Sequence, residues 1–338
     1  MNHTNVILNK QDILILLKTR SSARQARLPA GIDFSISQKT LRLFVQNPAQ
    51  NMQTDRAAFE AWAITLKYWL GDEIDTVELD FKERHDLLFK LGSATAGHYH
   101  RFMYRVLCMT RYFSSWFKVD DSKTDYMVAF DQWLKSQSLV LNVSLVERQS
   151  RKDKKANERS IESWFVFHEG KSLITGKWSI DENKLFNQLP VGVFVDEVKK
   201  NNAFFSGGAG AVDIWGIGTD AKTLHLIELK TANNVALGVI TEALFYAFLL
   251  YDTLIAEKPL FRFPEISPEK MKTDTQVLLN GAETFENIAV HLLAERFHPL
   301  LQKSVSIFIN ESLLPWGIGF DRLQYSFAEG LLIDEKHH

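Results

Sequence analysis

The chain has 338 residues, 46% of them apolar and 12% aromatic, which supplies a sizeable core and excludes a disordered chain. Its formal charge of −2 excludes a globally basic nucleic-acid binder, so any contact with phosphates must come from local patches. A single cysteine, Cys108, excludes an intrachain disulfide and fits a reducing, cytoplasmic setting.

At roughly 100–200 residues per domain, this length predicts two domains. The opening stretch "MNHTNVILNKQDILILLKTR" breaks its apolar run with Lys10, Gln11 and Asp12 and lacks the layout of a signal peptide. With no run of 18 or more apolar residues in the chain, no membrane span is expected. Residues 1–50 hold short apolar pieces (6–8, 13–17 and 41–45) between polar turns. "DRAAFEAWAITLKYWLGDEI" places Phe59, Trp62, Leu66 and Trp69 at helical spacing. "HYHRFMYRVLCMTRYFSSWF" and "DYMVAFDQWLKSQ" read as two further helices, and "SLVLNVSLVE" as a strand. Residues 1–149 are therefore expected to form a largely helical domain for recognition or assembly. Residues 147–159, "ERQSRKDKKANER", carry six basic and three acidic residues. They read as a solvated linker, or as a basic arm touching a polyanion.

A second domain is expected over 160–334. "SIESWFVFHEGKSLITG" is apolar with β-branched residues. "DENKLFNQLPVGVF" starts as a helix near Asp181 and must end or bend by Pro190. "NAFFSGGAGAVDIWGIG" reads as two strands joined by a turn at 207–210, and "TLHLIELK" as another strand. "NNVALGVITEALFYAFLLYDTLI" is a long helix capped by Asn233 or Asn234. "KSVSIFIN" and "DRLQYSFAE" complete the set as strands. The result is an α/β (α+β) class, a mixed sheet flanked by helices.

Charges inside the apolar strands carry the functional signal. If residues 212–217 and 224–230 form a hairpin symmetric about "GTDAKT", Ile217 faces Leu224, Trp215 faces Leu226, and Asp213 faces Glu228. Lys230, two residues on, joins that face. Two carboxylates side by side repel one another, and a divalent cation removes the conflict. Mg²⁺ (or Mn²⁺) takes one or two carboxylates plus waters, and the Leu229 carbonyl offers a further oxygen. Lys230 beside it would position or deprotonate a water, or offset charge on phosphorus. The plainer alternative pairs Asp213 with Lys230 as a salt bridge and leaves Glu228 at a solvated edge.

Asp213 followed by Glu228-Leu229-Lys230, in a strand–strand–helix frame, resembles the PD-(D/E)xK nuclease superfamily, whose members include restriction endonucleases, junction resolvases and repair or defence nucleases. The likeness spans about 181–310, with Val212 where the motif name has proline. It implies a restriction-endonuclease-like domain, Mg²⁺ held by Asp213 and Glu228, and a nucleic-acid substrate, DNA ahead of RNA. By analogy it also implies a role in defence or repair. Many members carry a further acid on the first core helix, for which Glu182 is the nearest match and Glu162 the second. Glu242 and Tyr246 share a helical face, so Tyr246 is a candidate for contacting a phosphate or ordering Lys230; the alternative is a core tyrosine. A catalytically silent binding or scaffold subunit is the competing reading, and a partner protein or second copy would dock through the N-terminal domain.

Other motifs carry less. "SGGAGA" lacks the Gly-Lys-Ser/Thr of a phosphate loop, and Gly216 with Gly218 lacks the third glycine of a dinucleotide fingerprint. His98 and His100 have no CxxC or HExxH partner. Cys108 sits in an apolar helix and reads as packing.

Overall fold

The computed structural model describes residues 7–145, 156–205, 210–232, 235–326 and 331–333. It is a mixed α/β structure with three mixed sheets, divided into two compact units. The first comprises Met1–Gln137, Ala236–Glu242 and His298–Leu313, and the second comprises Ser138–Val235, Ala243–Phe297 and Leu314–His338.

The first unit begins with β1 (Leu8–Asn9), α1 (Lys10–Ser21), β2 (Ile32–Ser37), β3 (Thr40–Val45), α2 (Phe59–Trp69) and β4 (Thr76–Phe81). It continues with α3 (Ala94–Tyr112), β5 (Phe117–Val119) and α4 (Thr124–Ser136). Asn9 caps α1 through a capping box with Asp12, and Ser93 caps α3. The three expected helices are present as α2, α3 and α4. Beside these helices lies a five-stranded sheet β1-β2-β3-β4-β5, which the helical reading does not include. "IDFSIS" and "TLRLFV" alternate inward and outward, and their hairpin turn places Gln38 and Lys39 at φ 49 and 58. That is the pattern of a type I′ turn. β3, β4 and β5 then pair in parallel, a long-range choice that local sequence does not announce.

Leu41, Leu43, Val77, Leu79 and Phe81 fill the inner face of this sheet. Buried Glu60 of α2 accepts from the Arg105 guanidinium of α3 at 2.5 and 2.9 Å and from Thr241 Oγ1 at 3.1 Å. His100 is fully buried, its Nε2 within 2.9 Å of the Leu87 carbonyl, and Cys108 is buried as well. Both are core residues.

The chain continues with β6 (Leu139–Leu141), α5 (Ala156–Phe167), α6 (Gly170–Trp178), β7 (Ile180–Pro190), β8 (Val193–Val195), β9 (Ala211–Gly218) and β10 (Thr223–Lys230). After these come α7 (Val239–Leu254), β11 (Phe261–Arg262), α8 (Thr273–Gly281), β12 (Asn287–Ala294), α9 (Lys303–Leu313), β13 (Ile318–Ser326) and β14 (Leu331–Ile333). α9 belongs to the first unit, where it packs on α2. In the second unit a six-stranded sheet runs β14-β13-β12-β10-β9-β7, beside a small sheet β11-β6-β8. β7, β9 and β10 are antiparallel neighbours, and β10, β12 and β13 are parallel.

Two expected elements change type. The stretch from Asp181 is strand β7, not a helix. Asp181 accepts from the Asn183 N–H at 2.9 Å, a local turn inside the register shift between Ile180 and Leu185, so it mimics a helix cap. "KSVSIFIN" lies in α9, whose buried Val305, Ile309 and Leu313 recur every four residues; their β-branched neighbours mask that period. "SIESWFVFHEGKSLITG" becomes α5 and α6. Residues 147–155 of the charged stretch, 207–209 of the glycine turn and the expected cap residues Asn233 and Asn234 lie outside the described residues.

Candidate active site

β10 is a central strand buried along six of its eight residues, which explains its near-continuous apolar run. It turns out of β9 through Asp220, whose carboxylate accepts from the Lys222 and Thr223 N–H groups at 2.9 and 3.0 Å. Ala221 there has φ 59. The register matches the symmetric hairpin from Leu224↔Ile217 through Leu226↔Trp215 to Ile227↔Ile214. The recorded ladder stops one pair short of Asp213 and Glu228.

At that point the Asp213 side chain replaces a backbone acceptor. Its Oδ2 accepts from the Leu229 N–H at 2.9 Å. Leu229 lies between Glu228 and Lys230, so the three expected charges converge at this end of the hairpin. Glu228 is 4% exposed and its carboxylate is ion-paired with the Lys230 ammonium. Lys230 therefore pairs with Glu228, and Glu228 is buried rather than at a solvated edge. The Lys230 carbonyl accepts from Tyr325 Oη at 3.3 Å and from the Glu295 N–H at 3.1 Å, which fixes the strand end from β13 and β12.

The supporting candidates separate. Glu182 is exposed on β7, close to Ile180, which pairs with Gly218. That is the opposite end of β9 from Asp213. Glu162 lies on α5, is 4% exposed, and accepts from Gln188 Nε2 at 3.0 Å. Because 181–190 is a strand and 156–167 a helix, the helix-borne acid is Glu162 rather than Glu182. Tyr246 is buried in α7 beside the Phe245 ring. Glu242, one turn earlier, accepts from Gln53 Nε2 at 2.5 Å.

Two residues near the site carried no sequence signal. Gln188 stands between Asn187↔Ile214 and Leu189↔Val212, and so across from Asp213. Glu295 follows β12 and accepts from the Ala232 N–H at 2.8 Å. Only the parallel pairing of β10 with β12 brings it beside the Lys230 end.

Asp213 and Glu228 are the carboxylates at this end of the hairpin that could offer oxygen ligands to a hard cation such as Mg²⁺. Among the described residues, no group of three His, Cys, Asp or Glu side chains is placed to hold a metal.

No family model, curated protein or solved structure matches this chain. Among the described residues, no helix is long and apolar enough to cross a membrane.

The opposite face of the sheet holds a second polar feature. His225 Nδ1 and His291 Nε2 lie 2.9 Å apart, and Trp178 stacks on His291 with ring centroids 4.0 Å apart. Trp178 Nε1 donates to Asp321 at 3.3 Å. Burial lowers His225 to about 4, against the opposing pull of the Asp220 carboxylate. Burial also lowers His291 well below the ordinary value, with His225 adding to the effect.

Proposed function

We propose that the chain is a metal-dependent nuclease that hydrolyses phosphodiester bonds in nucleic acid, with DNA the first substrate to test. The observation that carries this reading is the Asp213 carboxylate bonded to the peptide N–H between Glu228 and Lys230. Two acids and a lysine thereby meet at the end of an otherwise apolar sheet. Burying such charges is costly unless they serve one another or a ligand. The order α5, then antiparallel β7, β9 and β10, then α7, then β12 parallel to β10 supports a restriction-endonuclease-like core. The PD-(D/E)xK resemblance implies a core of this kind, and here α6, β8, β11 and α8 stand between its elements.

In this reading Asp213 and Glu228 would hold Mg²⁺ or Mn²⁺, with the Leu229 carbonyl as a further oxygen. The bound cation would acidify a coordinated water and polarise a phosphoryl oxygen. Asp213 holds the end of β10 through the Leu229 N–H, so acid and backbone move as one piece. Lys230 starts on Glu228; once transferred toward the phosphate, its ammonium offsets charge on the pentavalent phosphorus or orients the attacking water.

A catalytically silent scaffold draws on the same Glu228–Lys230 ion pair, since that contact satisfies both charges without a ligand. Cleavage of labelled DNA and RNA in the presence of Mg²⁺ or Mn²⁺, lost in Glu228→Ala, separates the two readings.

A further inference from the structure

Arginine is seldom buried unless its charge serves a partner or a ligand. Arg322 of β13 is 8% exposed, and the pairing of three parallel strands fixes where it stands. Glu228 of β10 aligns with Leu292 of β12, and Leu292 aligns with Arg322. Residues aligned in this way share a face, so Glu228, Leu292 and Arg322 form one row across the sheet. Their chain neighbours Leu229, Leu293 and Leu323 pack with α5 and α6 on the other face. Arg322 therefore stands on the face of Glu228 and Lys230, two strands from Glu228, or about 10 Å at the usual strand spacing.

The next row on this face carries Lys230, Ala294 and Gln324. It lies at the carboxyl ends of the parallel strands, where open α/β sheets receive ligands. Phe297 follows β12 at that end, and the Arg322 guanidinium sits over its ring, 4.6 Å from the centre. A ring contact of this kind takes the flat side of a guanidinium, while the N–H donors lie around its rim. Exposed Arg296 follows β12 at the same end. The two acids are thus on one side of this sheet face and cationic groups on the other, with apolar Leu292 between.

We propose that Arg322 binds a backbone phosphate next to the one being cut, so that the nucleic-acid strand crosses the ends of β10, β12 and β13. The proposal rests on the nuclease reading above. A position about 10 Å from Glu228 lies outside the ligand shell of a cation on Asp213 and Glu228, and suits a neighbouring phosphate better than the scissile one. The planar guanidinium matches two phosphate oxygens at once. The competing role is to balance the Glu228 charge from two strands away, with no contact to substrate.

The test is binding of labelled DNA and RNA oligonucleotides to the full chain by fluorescence anisotropy, with Ca²⁺ in place of Mg²⁺ and cleavage in Mg²⁺ followed in parallel. Each backbone phosphate is replaced in turn by an uncharged methylphosphonate. At one position the replacement should weaken wild-type binding about 10–100-fold. Arg322→Met should weaken the unmodified oligonucleotide by a similar factor, make the slope of log K against log salt shallower by about 0.7, and lose little more from the same replacement. If Arg322→Met does not fold, Arg322→Lys takes its place, and the replacement should cost it less than it costs wild type. Full additivity of variant and replacement at every position would overturn the inference, while cutting by wild type would leave the nuclease reading standing. A wild type that binds and cuts neither oligonucleotide would remove both.

Discussion

The buried histidine pair makes stability depend on pH in a direction the structure fixes. His225 and His291 are 6% and 5% exposed, and Trp178 covers one ring. Asp220 faces His225 from the β9–β10 turn, while Asp321 aligns with His291 on β13 and is bonded to Trp178. His225 titrates near 4 in the fold against 6.5 in the unfolded chain. Below pH 6.5 the unfolded chain takes up a proton that the folded chain refuses until pH 4. Stability is therefore complete above pH 6.5, declines as pH falls through this window, and levels off below it. At 1.36 kcal/mol per pH unit, His225 alone accounts for roughly 3 kcal/mol, and His291 adds to it. That is a large part of a typical folding free energy of about 5–15 kcal/mol. Urea unfolding of wild type and His225→Leu/His291→Leu, followed from pH 7.5 to 4.5, isolates the pair because all other titrating groups are shared. Near pH 5 the wild type should lose stability faster by about 1 kcal/mol per pH unit for each histidine. Parallel curves would mean that the histidine pair does not couple folding to pH.

Two further outcomes follow from the first unit. Arg105→Met leaves the Glu60 carboxylate buried without its guanidinium, so urea unfolding should show a loss of about 3–5 kcal/mol; Glu60→Leu/Arg105→Met together should recover much of it. A loss below 1 kcal/mol in the single variant would show that the pair is not the clamp between α2 and α3. Lys39→Gly places glycine at φ 58 in the β2–β3 turn and should stabilise by roughly 0.5–1 kcal/mol. Destabilisation of that size would mean that the Lys39 side chain, which reaches Asp75 at 3.7 Å, outweighs the turn geometry.

The candidate site was legible because its signals are local. Turn chemistry at Asp220, strict alternation through Trp215 and Ile217, and charges set in apolar strands together predict the β9–β10 register as far as Ile214 and Ile227. The long α7 was legible from length and composition. The first-unit sheet was not, since β3, β4 and β5 find one another across intervening helices and no short window contains that choice. Glu182 ranks ahead of Glu162 only while 181–190 reads as a helix, and the Asx turn at Asp181 imitates a helix cap. The left-handed Gln188 carries no compositional mark at all, because glutamine gives no hint of positive φ.

Cleavage tests the Asp213–Glu228–Lys230 centre most directly. Wild type and Glu228→Ala are incubated with labelled single- and double-stranded DNA and RNA, with Mg²⁺, Mn²⁺ or EDTA. Wild type should cut in the presence of the metal, and EDTA or Glu228→Ala should abolish the cutting. No cutting of any substrate by wild type, together with no metal-induced rise in melting temperature, would contradict it and favour the silent scaffold.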